Sequence, residues 1–341
     1  MRTARIPLEL PAPRAALGQL GSTRLTLGLL PALAIAVVAV GQDAGPPAWT
    51  LAAPLGLLAL NLAAAIAVQG TFRARPALLV FHLALLAVVV LAAAGRLTYL
   101  KGSLELSEGE EFAGRLLREE SGPLHPRALE RAAFTNAGFG VDYEPGLRRA
   151  RTRNRVAYVD ASGLRRVAQI GDDMPLKLAG YRFYTTSNKG FAPEFVWVPA
   201  SGADAVRGTI HLPSFPAQLA DQELAWTPPG TTAALQTRLE MEERIVDLES
   251  KWTLRAPDRH VLVVTAGGEE RSLRPGQSLR LGEGTLHYAG LRMWMGYSVS
   301  YDWTLPWQLA GGVLAAFALA WHLAVRALRE SWRAPGAQGR G

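Results

Sequence analysis

The chain has 341 residues, 49% of them hydrophobic, a formal net charge of +7 and no cysteine. That length suits a membrane part joined to a water-soluble part, and the missing thiols exclude disulfides, thiolate metal sites, a lipoprotein anchor and dithiol chemistry by this chain itself. The positive charge does not imply a nucleic-acid partner, because basic and acidic residues balance between Arg96 and Asp302. The excess sits in Arg2, Arg5, Arg14 and Arg24 at one end, in Arg73 and Arg75 of a short loop, and in Arg326, Arg329, Arg333 and Arg340 at the other. Basic residues flanking apolar runs mark the cytoplasmic side of a membrane protein.

In chain order, residues 1–24 read as a cytoplasmic tail with little order. Residues 25–40 form the first apolar run, expected to be an uncleaved anchor although small residues Ala39 and Gly41 resemble a signal-peptide cleavage site. Residues 42–49 carry no Lys or Arg and should face outward. The second span covers 50–68, with Asn61 expected to make an interhelical hydrogen bond worth about 1 kcal/mol. A basic inner loop leads to the third span, 77–95, ALLVFHLALLAVVVLAAAG. At 1.5 Å per residue it reaches roughly 28 Å, enough to cross the hydrocarbon.

Residues 96–304 read as an exported, mainly β soluble domain, an antiparallel sandwich. Its expected strands are Val156–Asp160, Tyr181–Thr186, Glu194–Val198, Thr209–Leu212, His260–Thr265, Ser278–Leu281 and Tyr297–Tyr301, separated by Gly, Pro and Asp turns. Phe112–Phe134 has helical spacing, through Leu116, Leu117, Leu124 and Leu129, broken by Gly122-Pro123 and Pro126. Leu235–Leu254 is open between helix and strand. The fourth span, 305–325, follows an aromatic belt of Tyr301, Trp303 and Trp307, and 326–341 is a second cytoplasmic tail. The fold class is thus four transmembrane helices plus a β-rich domain.

Chemistry is sparse. A histidine in hydrocarbon is a functional candidate by default, and His82 lies inside the third span. Two readings stand: an axial ligand for haem iron, since a neutral imidazole binds iron well, or a histidine satisfied by a backbone carbonyl. His322 lies near the inner end of the fourth span, at a depth expected to match His82. It could be a second ligand of the same haem, or it could snorkel to the interface. His125, His211, His260 and His287 lack metal-ligand spacing and read as surface or turn residues. No trio reads as nucleophile, base and orienting acid, so no catalytic residue is assigned. Arg148, Arg149, Arg151, Arg153 and Arg155 form a basic cluster, read as a solvated turn and strand edge; lipid phosphates or haem propionates are the sharper alternatives.

Several stretches resemble the ResB/CcsB family of cytochrome c biogenesis, System II. Leu57–Leu62 (LLALNL) resembles its second-span motif, and Phe81-His82-Leu83 with the aliphatic run to Gly95 its third span. Gly140–Gly146 (GVDYEPG), Met174–Ser187 (MPLKLAGYRFYTTS), Tyr288–Leu291 (YAGL) and Tyr301-Asp302 resemble later signatures, while VGQDAGPP stands where the family usually has a Gly-Thr-x-Ile-Pro-Gln type motif. The resemblance implies a ResB-like subunit of a haem exporter and holocytochrome c synthase in the bacterial cytoplasmic (inner) membrane, its soluble domain periplasmic. It implies haem b as the transported or transiently bound cofactor and His82 as its ligand. The implied partners are a ResC/CcsA-like multi-span haem-handling protein, apocytochrome c and membrane lipid, with this chain non-catalytic or co-catalytic. The rival functions are a self-contained b-type cytochrome using His82 and His322, and a haem-free membrane scaffold.

Overall fold

The computed structural model describes residues 13–42, 47–232 and 234–331. Two compact units emerge: Met1–Leu100 with Glu120–Pro126 and Tyr301–Gly341 forms the helical unit, and Lys101–Glu119 with Arg127–Ser300 the β unit.

Among the described residues the helical unit holds α1 (Pro13–Leu20), α2 (Thr23–Gln42), α3 (Trp49–Val68), α4 (Gly70–Ala74), α5 (Pro76–Thr98) and α6 (Leu305–Ser331). Four of these, α2, α3, α5 and α6, are long and apolar enough to cross a membrane. Aliphatic runs become helices in hydrocarbon because a helix satisfies every backbone group internally. The observed spans contain the expected ones and extend most of them by up to a turn, Pro76 opening α5 at the position where its missing N–H is harmless. The N-terminal tail departs from expectation: Pro13–Leu20 is helical, with good helix formers behind a leading proline.

Asn61 shows what a polar residue does inside such a bundle. It is 2% exposed on α3 and holds the junction of α1 and α2. Its Nδ2 donates to the carbonyls of Leu20 (2.6 Å) and Ser22 (3.2 Å), and its Oδ1 accepts from Thr26 Oγ1 (2.7 Å). Leu20 O sits where the chain breaks helical pairing between α1 and α2, so the amide supplies a partner that lipid cannot. Helices α5 and α6 meet through small residues. A side chain at Gly95 would lie 2.7 Å from Thr304 Oγ1, and one at Gly311 would lie 2.8 Å from Val88 Cγ2. At the end of α5, the backbone N–H groups of Gly122 and Leu124 donate to Tyr99 O and Leu97 O at 2.9 and 2.8 Å.

The strands run from Leu100 to Tyr301: β1 (Leu100–Ser107), β2 (Glu111–Phe112), β3 (Arg118–Ser121), β4 (Phe134–Glu144), β5 (Arg148–Val159), β6 (Arg165–Ile170), β7 (Leu176–Leu178), β8 (Tyr181–Pro199), β9 (Val206–Thr209), β10 (Glu223–Trp226), β11 (Leu235–Met241), β12 (Trp252–Leu254), β13 (His260–Ala266), β14 (Glu269–Leu273), β15 (Ser278–Leu281) and β16 (Gly284–Tyr301). Among the described residues they build three sheets. The central one runs β3-β1-β16-β8-β7, with β15 on β16 and β9 on β8; the others run β12-β4-β5-β6, with β2 on β4, and β10-β11-β13-β14. Pairing is mostly antiparallel, as expected.

Two strands are far longer than the sequence suggested, and they organise the core. β8 joins the expected strands Tyr181–Thr186 and Glu194–Val198 without a break, and β16 continues the expected Tyr297–Tyr301 back to Gly284. Phe183 and Tyr297, from one end of each, pack with Phe112 and Phe134 of the β4 sheet, ring centroids 5.0–5.7 Å apart. Phe195 and Tyr288, from their other ends, pack together, and Phe195 stacks on Trp226 of the β10 sheet at 5.1 Å. The central sheet therefore serves two layered packings, each with an aromatic core. A buried polar seam ties β1, β4, β5 and β16: Asn136 Nδ2 donates to Leu106 O, Asn154 Nδ2 to Asn136 Oδ1 (2.8 Å), and Tyr297 Oη to Asn154 Oδ1 (2.9 Å).

Two local expectations change. Phe112–Phe134 is not helical; it holds the end of β2, all of β3, a short 3-10 turn at Leu129–Ala132 and the start of β4. Leu117 and Leu124 of its apparent apolar stripe are exposed, so the spacing was coincidental. The open stretch Leu235–Leu254 resolves as β11, a loop and β12, with Leu235, Thr237 and Leu239 buried at period two. β9 ends at Thr209, where a strand was expected to start.

Candidate functional site

His82 sits in the second turn of α5, half-buried. Its Nδ1 is 2.8 Å from Leu78 O, four residues back along the helix. A carbonyl only accepts, so Nδ1 carries the hydrogen and Nε2 keeps a free lone pair. Phe72, buried on α4, lies against the imidazole at 4.4 Å, and Phe81 meets it edge-on at 5.1 Å. An imidazole with Nδ1 bonded to a backbone carbonyl is oriented as metal-ligating histidines are, with the tautomer set by the second nitrogen's partner. The arrangement fits a histidine that would hold haem iron through Nε2.

His322 is half-buried on α6. Gly311 lies beside Ala84 and Val88, level with about residue 86 of the antiparallel α5. His322 is eleven residues further along α6 and His82 about four residues further back along α5, so at 1.5 Å per residue they differ in depth by ~10 Å. The two imidazoles are not brought together.

At the other end of α5, Trp303 Nε1 donates to Thr98 Oγ1 (3.0 Å). The Arg96 guanidinium stacks on the Tyr99 ring at 4.4 Å, and its Nε and Nη2 are buried without a hydrogen-bond partner among the described residues. Tyr99 donates to Glu120, and burial first, then that carboxylate, push its hydroxyl up to about 12.

The remaining histidines are not all superficial. His125 and His260 are 6% and 7% exposed. His125 meets Tyr301 edge-on at 5.0 Å. In His260, Nδ1 donates to Pro257 O (3.0 Å) and Nε2 accepts from Tyr288 Oη (2.7 Å), whose acidity burial suppresses. His287 pairs with Ser278. His211 Nδ1 lies 2.9 Å from Glu105 Oε2, and Nε2 lies 3.0 Å from Ser107 Oγ. That is the bonding order of a hydrolase triad, invisible in sequence because β1 and the segment after β9 are about a hundred residues apart. Ser107, however, is 1% exposed and shares its hydroxyl with Thr209 at 2.8 Å. No substrate carbonyl can reach it, and the set reads as a structural network, stacked on Trp294.

Lys189 is a second group that sequence reading missed. It is 2% exposed on β8, donates to Ser187 O (3.0 Å) and lies 5.6 Å over the Tyr143 ring. Burial, helped by the Arg149 charge, brings its amine down to about 8. The arginine cluster meets its expectation in part. It lies on β5, which pairs with β6 only from Asn154 onward, so Arg148, Arg149, Arg151 and Arg153 lie where β5 has β4 on one side and no paired strand on the other, and Arg155 lies where both sides are paired.

Fold and sequence together define a protein with four helices long and apolar enough to cross a membrane, the third of them carrying His82, and a separate, mostly antiparallel β unit. A family model described as the ResB-like family matches residues 61–266, well over half of the chain. The chain belongs to that family, and its role lies in cytochrome c biogenesis. A solved structure titled "Cytochrome c Heme Lyase CcmF" is similar at 14% identity and a TM-score of 0.26; the alignment covers 91% of this chain and 38% of that one. This chain therefore spans well under two thirds of that protein's length. No curated protein matches it.

Proposed function

We propose that this protein is the ResB-like subunit of a membrane haem-export and cytochrome c synthase complex. His82 Nε2 would hold the iron of haem b on the inner side of the bilayer. The open Nε2, held by the Nδ1–Leu78 hydrogen bond, is the observation that supports this most directly. When bound, haem would supply the iron and the vinyl groups; this chain supplies the imidazole and an apolar wall from Phe72 and Phe81. The ~10 Å difference in depth argues against a self-contained cytochrome with both histidines on one iron. A ResC/CcsA-like multi-span partner would share in holding the haem. The basic loop at Arg73 and Arg75, with Arg326 and Arg329 at the C-terminal end of α6, supports a cytoplasmic placement of the His82 end. The β unit then lies on the periplasmic side of a bacterial inner membrane, where it receives apocytochrome c. Attachment of haem needs two reactants held close, so the contribution is positioning.

The test is a reduced-minus-oxidised absorption spectrum of the chain purified with its multi-span partner. His82→Ala is expected to lose most of the haem signal while the complex still assembles. Unchanged haem content in that variant would overturn the assignment.

A further inference from the structure

β5 alternates strictly between two faces. Thr152, Asn154 and Val156 are at most 4% exposed and face the core. Arg151, Arg153, Arg155, Ala157 and Val159 face away from it, spaced ~6.6 Å apart. The register with β6 sets Gln169 beside Arg155, Val167 beside Ala157 and Arg165 beside Val159. On the other side Asp142 lies beside Arg151 and Gly140 beside Arg153. One outer face thus carries four arginines and a diagonal valine pair, with Val159 58% and Val167 71% exposed.

Its charges do not cancel. Arg153 pairs with Asp142 at 2.7 Å, and that carboxylate also accepts from Thr253 Oγ1 (2.8 Å). Other acids on the face are Glu111, beside Thr135 at the valine end, and Glu144, two residues beyond Asp142 and paired with Lys251 at 2.8 Å. The side chains of Arg151, Arg155 and Arg165 make no hydrogen bond or ion pair among the described residues. Arg155 acts on the half-buried Glu108 only through space.

An antiparallel sheet can simply face water, and a single exposed valine needs no explanation. Here the two valines adjoin and are flanked by Arg155 and Arg165, where β5 is paired with β6 and edge protection has no purpose. Guanidinium groups bind carboxylates as planar forks and are enriched at protein interfaces. Arg292 does this within the same unit, gripping Glu194 through Nε and Nη2 at 3.0 Å each. We propose that this face docks an acidic polypeptide segment bearing aliphatic side chains, its carboxylates on Arg151, Arg155 and Arg165 and its aliphatic groups over Val159 and Val167. The inference goes beyond haem binding at His82 and does not depend on it.

The experiment uses the full chain in a zwitterionic nanodisc and a fluorescein-labelled peptide of Glu, Leu and Ala, read by anisotropy. Arg151→Gln/Arg155→Gln/Arg165→Gln is expected to weaken binding about tenfold, and Val159→Ser/Val167→Ser about threefold with every charge kept. A control of equal charge change, Arg115→Gln/Arg118→Gln/Arg280→Gln, is expected to stay within about twofold. Equal losses in control and face variants, or no loss in the valine pair, would overturn the proposal. So would tighter binding of short-chain phosphatidylglycerol than of the peptide at the same face, which would make it a lipid surface. Near-UV circular dichroism of each variant checks that the fold is kept.

Discussion

Replacing Lys189 by Met is expected to stabilise the protein at neutral pH. The ammonium is buried, with one carbonyl partner and an aromatic face. Its pKa falls from 10.5 to about 8, burial being the first cause and Arg149 the second. At 1.36 kcal/mol per unit, keeping the amine charged inside the fold costs about 3 kcal/mol. Methionine fills similar volume and forfeits the bond to Ser187, worth about 1 kcal/mol. The net gain is about 2 kcal/mol, or a rise in Tm of roughly 4–8 °C for a unit of this size. The sign follows from proton linkage. Between about 8 and 10.5 the unfolded chain binds the proton that the folded chain has released, so wild-type stability climbs with pH across that window. The advantage of the variant is therefore full below about pH 8 and fades towards pH 10.5. Heat unfolding followed by near-UV circular dichroism, at about pH 7 and about pH 10, measures both. A variant that melts below wild type at the lower pH, or whose advantage is the same at both, refutes the reasoning.

Asn61→Leu removes three hydrogen bonds at the α1–α2 junction and strands the Leu20 carbonyl, while Ser22 O keeps the N–H groups of Leu25 and Thr26; a loss of about 1–2 kcal/mol is expected in detergent unfolding. An unshifted melting curve would show the amide to be dispensable. Because the chain has no cysteine, Gly95→Cys/Thr304→Cys gives a background-free probe of the α5–α6 contact. Mild oxidation is expected to close this bridge, detected as a mobility shift on non-reducing gels, while Gly95→Cys paired with Trp321→Cys stays open.

The membrane plan was legible because hydropathy and the position of arginine are local signals. Apolar runs at 25–40, 50–68, 77–95 and 305–325 needed no partner to be recognised. Strands were recognised where turns marked their ends, which is why β8 was read as two pieces: Ser187, Asn188 and Gly190 look like a turn, yet β16 and the segment after β9, whose Leu212 and Phe215 N–H groups donate to Phe191 O and Lys189 O, keep the chain extended there. Phe112–Phe134 misled for the opposite reason, since four leucines at helical spacing carry no information about whether they are buried. His82 was legible as one polar residue in hydrocarbon. Its tautomer, the burial of Lys189 and the meeting of His211 with Glu105 were not, because each depends on contacts between distant parts of the chain.

The α5–α6 contact also sets an order of assembly. Gly95 and Thr304 touch, but some two hundred residues of β unit lie between them in the chain. Closing so long a loop costs only slightly more entropy than closing one half its length, so the difficulty is one of sequence in time. As the ribosome works from the N-terminus, α2, α3 and α5 are complete long before α6 exists. The small-residue face of α5 must wait in the lipid, uncovered, until the entire β unit has been made. The last helix is therefore a clasp, and the three-helix stage without it is the point at which a quality-control protease or a chaperone would meet this protein.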